Sequence, residues 1–541
     1  MLTTTPSTLA KGLFILTAQL ALMGLVHASD SAADAAPEPA NTKPAAAEAH
    51  FDVHEYRVLG NTVLPNRDIE TVLYPLLGDN KTLADVEIAR AALEKTYHDR
   101  GFGTVFIDIP EQEVSDKVVR LKVTEGRLHE VHIAGARYFS ERKILAAVPA
   151  ATAGTVPNLP ALQSQLAALG AQTADRTVVP ILKAGPVPGT VDLALKVDDH
   201  LPFHGSIEVN NQNTPDTKPL RTTAALNYNN LFGQFDSLSA QYQVSPQDIS
   251  QVNVVAANYA WGAFANGVRP SVSFINSNSN VPTVGTLGVL GKGQVYGTRL
   301  SFPLGDPVTS TQSLTLGADY KHFREAVGLS GTPALNTPVS YTNLSVVYAG
   351  SWSSDALFGS LSSAANFGPR GAPNDSTEFA NKRFKGQPNY FYVKIDGSLA
   401  MHLPLAFQLI LRADGQYAVE PLITNEDFAI TGADGVRGYL EAEVLTDIGL
   451  KGSIQFQSPT ARWGTLPLGD LFLFFDAGRA DTLDPLPSEP GSAVLYSTGV
   501  GLHLLPGKPI NGVLTWADPL RDGPNTRHGD SRVLFVVRGS F

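Results

Sequence analysis

The sequence predicts two small α+β domains of β-α-α-β-β order followed by an all-β region that closes into a sixteen-stranded transmembrane β-barrel. Three observations predict this. Residues 1–28 have the form of a secretory signal. Residues 51–200 run twice through one order of strands and helices. From about Phe203 to Phe541, segments of roughly ten residues alternate apolar and polar positions between clusters of Gly, Pro, Asn and Asp.

Composition sets the outer bounds. The chain has 541 residues, 48 of them glycine, no cysteine, 17% charged residues and a formal net charge of −11. It is long enough for several domains. The lack of Cys excludes disulfide scaffolds, thiolate metal sites and cysteine nucleophiles. An acidic balance argues against nucleic acid as a partner, because such binding calls for a basic face. Beyond the first thirty positions no apolar run reaches 18 residues, so helical membrane spans are not expected in the mature chain.

At the amino end, Lys11 precedes an apolar core from Gly12 to Val26, and Val26-His27-Ala28 forms a small-residue cleavage site. These features predict a signal peptide over residues 1–28, removed after Ala28; an uncleaved anchor helix fits the small residues less well. Residues 29–50 are rich in Ala, with Pro37, Pro39 and Pro44 interrupting any continuous helix, and read as a flexible linker.

Residues 51–126 form the first predicted domain. Phe51, Val53, Tyr56 and Val58 suggest a strand, Gly60-Asn61 a turn and Arg67 to Leu77 a helix. Thr82 with Asp85 resembles a capping box that opens a second helix, with Leu83, Val86, Ala89, Leu93 and Tyr97 on one stripe and Gly101 at its end. Val105–Ile109 and Val118–Val123 follow as strands. The second domain, residues 127–200, repeats the order with a strand at Val131–Ala134, helices at Ser140–Val148 and Leu159–Gly170, and strands at Val178–Leu182 and Val191–Val197. Small sheets with free edges can accept an extended peptide by strand addition, although an edge can also be purely structural.

The barrel occupies residues 201–541. Its sixteen candidate strands begin near Phe203, Arg221, Asp236, Val252, Val268, Val295, Ser313, Ser340, Leu357, Phe391, Phe407, Leu440, Leu471, Val494, Asn511 and Arg532, an even number as single-chain bacterial barrels require. Glu208, Asn210, Gln241, Gln243, Lys394, Asp396, Arg412, Asp414, Gln416, Lys451 and Gln455 fall on the lumenal side of the alternation, which predicts a wet interior rather than a packed core. A large soluble β-sandwich or propeller is the alternative, disfavoured by the signal and by the last strand, where Val533, Phe535, Val537, Gly539 and Phe541 share one face.

Two motifs stand inside this series. Val436-Arg437-Gly438-Tyr439 follows a turn-rich run from Pro421 to Gly435, and Phe474-Phe475-Asp476-Ala477-Gly478 sits in a strand. Burying Asp476 among aromatic residues is costly unless a cation or several donors meet it, and Arg437 is the candidate partner for a salt bridge. The loop 421–439 then folds into the barrel. By spacing alone, a solvated Arg437 and an Asp476 facing water in a pore fit equally well.

The motif pair resembles the signature of the outer-membrane superfamily that holds the barrel assembly factor and the two-partner secretion transporters, and the two β-α-α-β-β units resemble POTRA domains. With all these parts in this order, the chain looks most like a two-partner (TpsB) transporter of the haemolysin secretion/activation type. The resemblance implies a Gram-negative outer membrane protein with its POTRA domains in the periplasm. It implies that these domains capture one large, still unfolded exoprotein of TpsA-like, β-helical kind, which passes outward through the barrel without nucleotide hydrolysis. It also implies that the loop motif Val436, Arg437, Gly438 and Tyr439 lines the pore, that Arg437 contacts the wall motif Phe474, Asp476 and Gly478 through Asp476, and that Phe541 is the carboxyl-terminal signal by which the barrel assembly machinery receives the chain. In such transporters a helix at the mature amino end often plugs the pore; the short, proline-interrupted linker departs from that pattern.

No enzyme signature is present. H-E-x-x-H and G-x-S-x-G are absent, and Gly291-Lys292-Gly293 lacks the spaced glycine and the Ser or Thr of a phosphate loop. His200 and His204 lie close together at a domain junction with no third ligand in view and read as solvated residues rather than metal ligands. No catalytic residue, cofactor or metal is therefore assigned. Partners expected are the exoprotein, outer-membrane lipid and the assembly machinery. An assembly factor for other barrels is the principal alternative, though such proteins usually carry three or more POTRA domains. A diffusion porin has no use for about 150 residues of periplasmic domain, the size of a whole typical domain.

Overall fold

The computed structural model describes residues 49–541 apart from 115, 265–266, 279–290, 306–309, 328–334, 372 and 488. The expected signal peptide, nearly all of the linker and any plug helix lie outside the described residues. No helix among the described residues is long and apolar enough to cross a membrane.

The first periplasmic unit is a three-stranded sheet covered by two helices. Glu55–Leu59 runs parallel to the central strand Val118–Glu125, which pairs antiparallel with Val105–Asp108. The single strand expected from Phe51 is divided: Phe51–Val53 pairs instead with Gly78–Lys81. The division has a local cause, since the amides of His54 and Glu55 both donate to the carbonyl of Lys117 and the chain pivots there. The first helix, Asn66–Leu73, tightens into a 3₁₀ turn at Tyr74–Leu76. Helix Leu83–Asp99 carries the expected capping box, with the Thr82 amide donating to Asp85 at 2.8 Å and the Asp85 amide donating back to Thr82 Oγ1 at 3.4 Å. Val86, Ala89, Leu93 and Tyr97 are buried on its stripe; Leu83, expected there too, lies in the first turn and is exposed.

The second unit repeats the plan, with Arg127–Ala134 parallel to Thr190–Asp199 and the latter antiparallel to Arg176–Ala184. Both repeats stabilise the turn after their first strand in the same way. Gly60 and Gly135 sit at φ +93° and +92°, where an L side chain is strained. A carboxylate ending the central strand then accepts the amides that follow. Glu125 takes Thr62 and Val63, and Asp199 takes Arg137, Tyr138 and Phe139. The repeats meet at Gly101, whose carbonyl accepts the Leu159 amide, while Asn158 donates to the Arg100 carbonyl at 2.9 Å.

Sixteen long antiparallel strands, from Phe203–Asn210 to Arg532–Ser540, form a closed barrel, with the short strand Ala461–Trp463 added beside Leu466–Asp481. The chain enters from the second unit at Phe203, so the turn 230–236 is periplasmic and the connection between Gln408–Ala418 and Ile448–Gln457 lies at the extracellular end. Strand alternation presents Leu226, Tyr296, Leu316, Leu450, Ile454 and Phe475 outward, where they remain exposed for lipid. The strand expected from Leu440 begins only at Ile448. Leu440 to Asp447 remain in the connection because their polar groups are held inside: the Leu440 amide donates to Glu443, and Asp447 accepts the Leu422 and Leu483 amides.

The wet interior expected from the alternation gives way to packing at the extracellular end. There two connections fold inward. Residues 368–390, containing helix Ser376–Lys382, bring Phe379 and Tyr390 against Phe323, Tyr341 and Tyr392 of the wall, and residues 419–447 add Leu422 and Ile423 to the same buried cluster. The periplasmic half of the lumen is lined instead by small polar side chains such as Ser271, Ser301 and Ser345.

The barrel closes on a short seam. Only five residue pairs join the last strand to the first, from Val536↔Asn210 to Ser540↔Ser206, reinforced by the Arg538–Glu208 ion pair at 2.5 Å. The terminal residue extends it: the Phe541 amide donates to Gly205 at 3.0 Å, the Gly205 amide donates to the Phe541 carbonyl at 3.2 Å, and the Phe541 ring lies over Gly205 and 5.9 Å from the Phe203 ring. A Cβ at Gly205 runs into that ring. Gly205→Leu is expected to destabilise the closed barrel by about 1–3 kcal/mol through overpacking, seen as a lower temperature at which the compact band of unheated protein is lost on denaturing gels. An unchanged transition would contradict the packing assigned to the seam.

Candidate functional site

The connection 419–447 is a folded element rather than a slack loop. Phe428–Ala429 pairs antiparallel with Leu445–Thr446 to make a stem, and Thr431 bridges Val436 to make the tip. Gly432 at φ +119° allows the reversal, and the Val436 amide returns to the Ile430 carbonyl at 2.9 Å. The tip reaches the wall formed by Ile448–Gln457 and Leu466–Asp481.

There the structure brings Arg437 and Asp476 together. Arg437 Nε donates to Asp476 Oδ2 at 2.7 Å, Nη2 donates to Oδ1 at 2.8 Å, and the Arg437 amide adds a third bond at 3.1 Å. Two further guanidinium donors go to Gln455 Oε1 at 3.2 Å and Ser453 Oγ at 2.9 Å, and the group lies 3.5 Å from the centroid of the Phe474 ring. Asp476 is fully buried and Arg437 is 8% exposed. A bidentate pair with two further donors satisfied offsets the desolvation of both charges; one partner without the other does not. On the sheet, Asp476 stands opposite Ser453 on one side and Ser497 on the other, and these small residues leave the room that the guanidinium fills.

The neighbouring motif residues shape this contact. Val436 is buried against Gly478, where a Cβ would meet the Val436 side chain. Gly438 takes φ +96° beside Pro519. Tyr439, buried, donates its hydroxyl to the Arg521 carbonyl at 2.7 Å and so ties the tip to the extracellular connection 520–531. Phe474 faces inward as the platform for Arg437, whereas Phe475 faces lipid.

Three further carboxylates hold the same loop, and none belongs to the expected set. Glu426, at the base of the stem, accepts Lys321 Nζ at 2.5 Å, Tyr392 OH at 2.6 Å and Tyr341 OH. These partners come from strands Ser310–Val327, Leu335–Ser353 and Phe391–His402, three to six strands round the barrel from that of Asp476. Glu443 accepts the Asn525 and Thr526 amides at 2.7 and 2.8 Å. Asp447 caps Leu422 and Leu483 and lies 3.5 Å from Arg383. The loop is thus fixed at two separate stretches of the wall, by Glu426 at the stem and by Arg437 at the tip. Nothing in the spacing of Glu426 names its partners, which lie up to 105 residues away.

The second periplasmic unit docks on the turn 230–236. Arg176 lies between the rings of Phe139 and Phe235, at 4.7 and 4.5 Å, and donates to the Leu169 carbonyl; burial lowers its pKa to about 10. Asn230 donates to the Tyr138 carbonyl at 2.8 Å. His204, expected to be solvated, is half-exposed but tied to Asp175 at 2.6 Å. Burial opposes ionisation of Asp175, yet hydrogen bonds from Asn229, Thr173 and His204 outweigh it and hold the carboxyl below its usual range. Among the described residues one surface group, Asp52, His54 and Asp79, brings a histidine and carboxylates close together, but Asp52 is already held by Lys117 and the Asn80 amide.

Comparison with known proteins agrees with this architecture. Residues 51–126 match the POTRA domain of ShlB type, and residues 189–504 match the family of haemolysin secretion/activation proteins ShlB/FhaC/HecB. The outer membrane transporter CdiB of Dickeya dadantii (strain 3937) is 24% identical over 403 residues, covering 72% of this chain and 69% of that protein. The heme/hemopexin transporter protein HuxB of Haemophilus influenzae (strain 86-028NP) is 21% identical over 481 residues, covering 84% and 81%. Among solved structures, CdiB from Escherichia coli superposes with a TM-score of 0.67 at 19% identity, covering 94% of this chain and 93% of that one. BamA from Haemophilus ducreyi lacking POTRA domains 1–3 gives 0.55 at 13% identity, covering 91% and 100%.

Glu426→Ala leaves the buried Lys321 ammonium and two tyrosine hydroxyls without their acceptor, a loss of roughly 3–5 kcal/mol from the stem. The expected outcome is a higher and more persistent ion conductance than the parent protein shows in planar lipid bilayers. Equal conductance would contradict the role given to this anchor.

Proposed function

The chain belongs to the ShlB/FhaC/HecB family of haemolysin secretion/activation proteins, and from that footing we propose how its parts divide the work of secretion. The protein is an outer-membrane transporter that exports a partner exoprotein through its β-barrel, with its POTRA domains in the periplasm. In the proposed scheme the exoprotein is single, large and β-helical once folded, and it crosses as an extended chain without nucleotide hydrolysis.

Capture falls to the periplasmic units. Strand Arg176–Ala184 is the outer strand of its sheet, and Val179, Ile181 and Leu182 are exposed along it. An extended segment added there gains main-chain hydrogen bonds along the strand and apolar contacts for alternate side chains. The docking of Arg176 on the barrel turn and of Asp175 on the first two barrel strands then hands that segment to the lumen.

The observation that carries the barrel's part is the bidentate contact between Arg437 and Asp476 at the tip of the inward loop. We assign it the task of holding the loop against one wall, so that a defined path is left when the outer end opens. In the same scheme Val436, Gly438, Tyr439, Phe474 and Gly478 shape the contact, and Phe541 serves both barrel closure and delivery to the assembly machinery.

Arg437→Ala or Asp476→Ala strands one buried charge and costs roughly 3–5 kcal/mol at the tip. Each variant is expected to insert normally in the outer membrane and to secrete clearly less exoprotein, measured by quantitative mass spectrometry of medium and cell surface. Unimpaired secretion by both would refute the role. Depletion of many other barrel proteins in cells lacking the transporter would point instead to an assembly factor.

A further inference from the structure

The lumen wall diametrically opposite Asp476 carries a second cluster of charge, which the inward loop does not use. On the neighbouring strands Arg269–Asn278 and Lys292–Leu304, the lumenal positions read Arg269, Ser271, Ser273 and Gly297, Arg299, Ser301, in a register that sets Arg269 opposite Ser301 and Ser271 opposite Arg299. The two arginines are therefore diagonal neighbours, within reach of one another's surroundings. Between them opens a cavity of about 200 Å³, lined also by Asn258 and the serines.

The two guanidinium groups are not equivalent. Arg299 is neutralised by Asp319 through two bonds at 2.7 and 2.9 Å. Arg269 donates to the Phe235 carbonyl at 3.3 Å, and among the described residues no carboxylate pairs with it. A guanidinium has five donors in a planar fork suited to a carboxylate, so this side chain presents unused donors to a lumenal cavity of hydroxyl groups. Its position matters as much as its charge. Phe235 belongs to the turn that receives Arg176 of the second POTRA unit, so the cavity adjoins the point where a chain handed over by that unit first meets the lumen.

We propose that Arg269, with Ser271, Ser273 and Ser301 around it, forms an anion subsite at the periplasmic mouth of the lumen that takes the carboxylate side chains of the entering exoprotein. The subsite favours an acidic stretch in the extended chain, exchanging water for charge-assisted hydrogen bonds that are individually reversible as the chain advances. This rests on the lumen being the export path. Binding to purified protein is read separately from secretion, so either can fail alone.

The test titrates purified full-length protein in detergent with fluorescein-labelled hexaglutamate, using labelled hexaserine and hexalysine as controls. Hexaglutamate is expected to bind, and neither control to match it. Arg269→Gln and Arg269→Ser, each first checked for the compact gel band of a folded barrel, are expected to weaken hexaglutamate binding about tenfold or more, while Arg269→Lys, which keeps the charge, restores most of it. Absence of hexaglutamate binding to the parent protein, or undiminished binding by the Gln and Ser variants, overturns the proposal. So does an equal loss in the Gln, Ser and Lys variants, because that pattern reports a structural role for Arg269 rather than recognition of charge.

Discussion

A carboxylate sealed from water inside a membrane barrel needs a cation or several donors to stay charged, and Asp476, sealed completely, is met by a cation. Much of the lumen follows from that constraint. The wall is indented at Ser453 and Ser497 so that a guanidinium can enter, Phe474 turns inward to lie under it, and Gly478 stays bare so that Val436 can approach. Arg437 can reach this depth only because the connection 419–447 is itself folded, with a two-rung stem and a tight tip that satisfy its own backbone groups. A loop without such internal bonds would leave unpaired polar groups within the lumen.

The loop is stable where it lies because it is held at both ends. Arg437 fixes the tip to the wall at mid-depth, and Glu426 fixes the base of the stem to another stretch of wall near the extracellular end. Around the Glu426 anchor the second inward connection completes a packed apolar cluster. The outer half of the lumen is thus closed by packing and the inner half is left polar, with small side chains on its wall. In the proposed scheme an exoprotein enters the inner half without disturbing either anchor and leaves only when the outer cluster rearranges. The tip anchor and the outer anchor share no side chain, so one can hold while the other yields.

How much of this was legible depended on whether the signal was local. The two periplasmic units were readable because helix stripes and caps are short-range: Thr82 with Asp85 marks the start of a helix, and Val86, Ala89, Leu93 and Tyr97 mark its buried face. Barrel strands were readable from alternation, and their starts are displaced by only a few residues except at Leu440. There the polar residues Glu441, Glu443 and Asp447 resemble the lumenal positions of a strand, and only long-range partners such as Thr526 and Leu483 reveal that they belong to a loop. The inward connection 368–390 was missed for a similar reason. Asp375 accepts the Thr377 amide at 2.6 Å as a helix cap, a readable sign, but the helix is seven residues long and its apolar face consists of Phe379 alone. Arg437 and Asp476 were legible as partners because a buried charge needs one, whereas Glu426 gave no such hint without its aromatic neighbours.

The most direct test of the account is a double-mutant cycle on Arg437 and Asp476, read as the rate of exoprotein secretion at matched levels of inserted transporter. If the two side chains act as one buried pair, removing both leaves no stranded charge, and Arg437→Ala with Asp476→Ala together secretes at least as well as the worse single variant. If the losses instead multiply as for independent sites, the two residues act separately and the pair does not hold the loop.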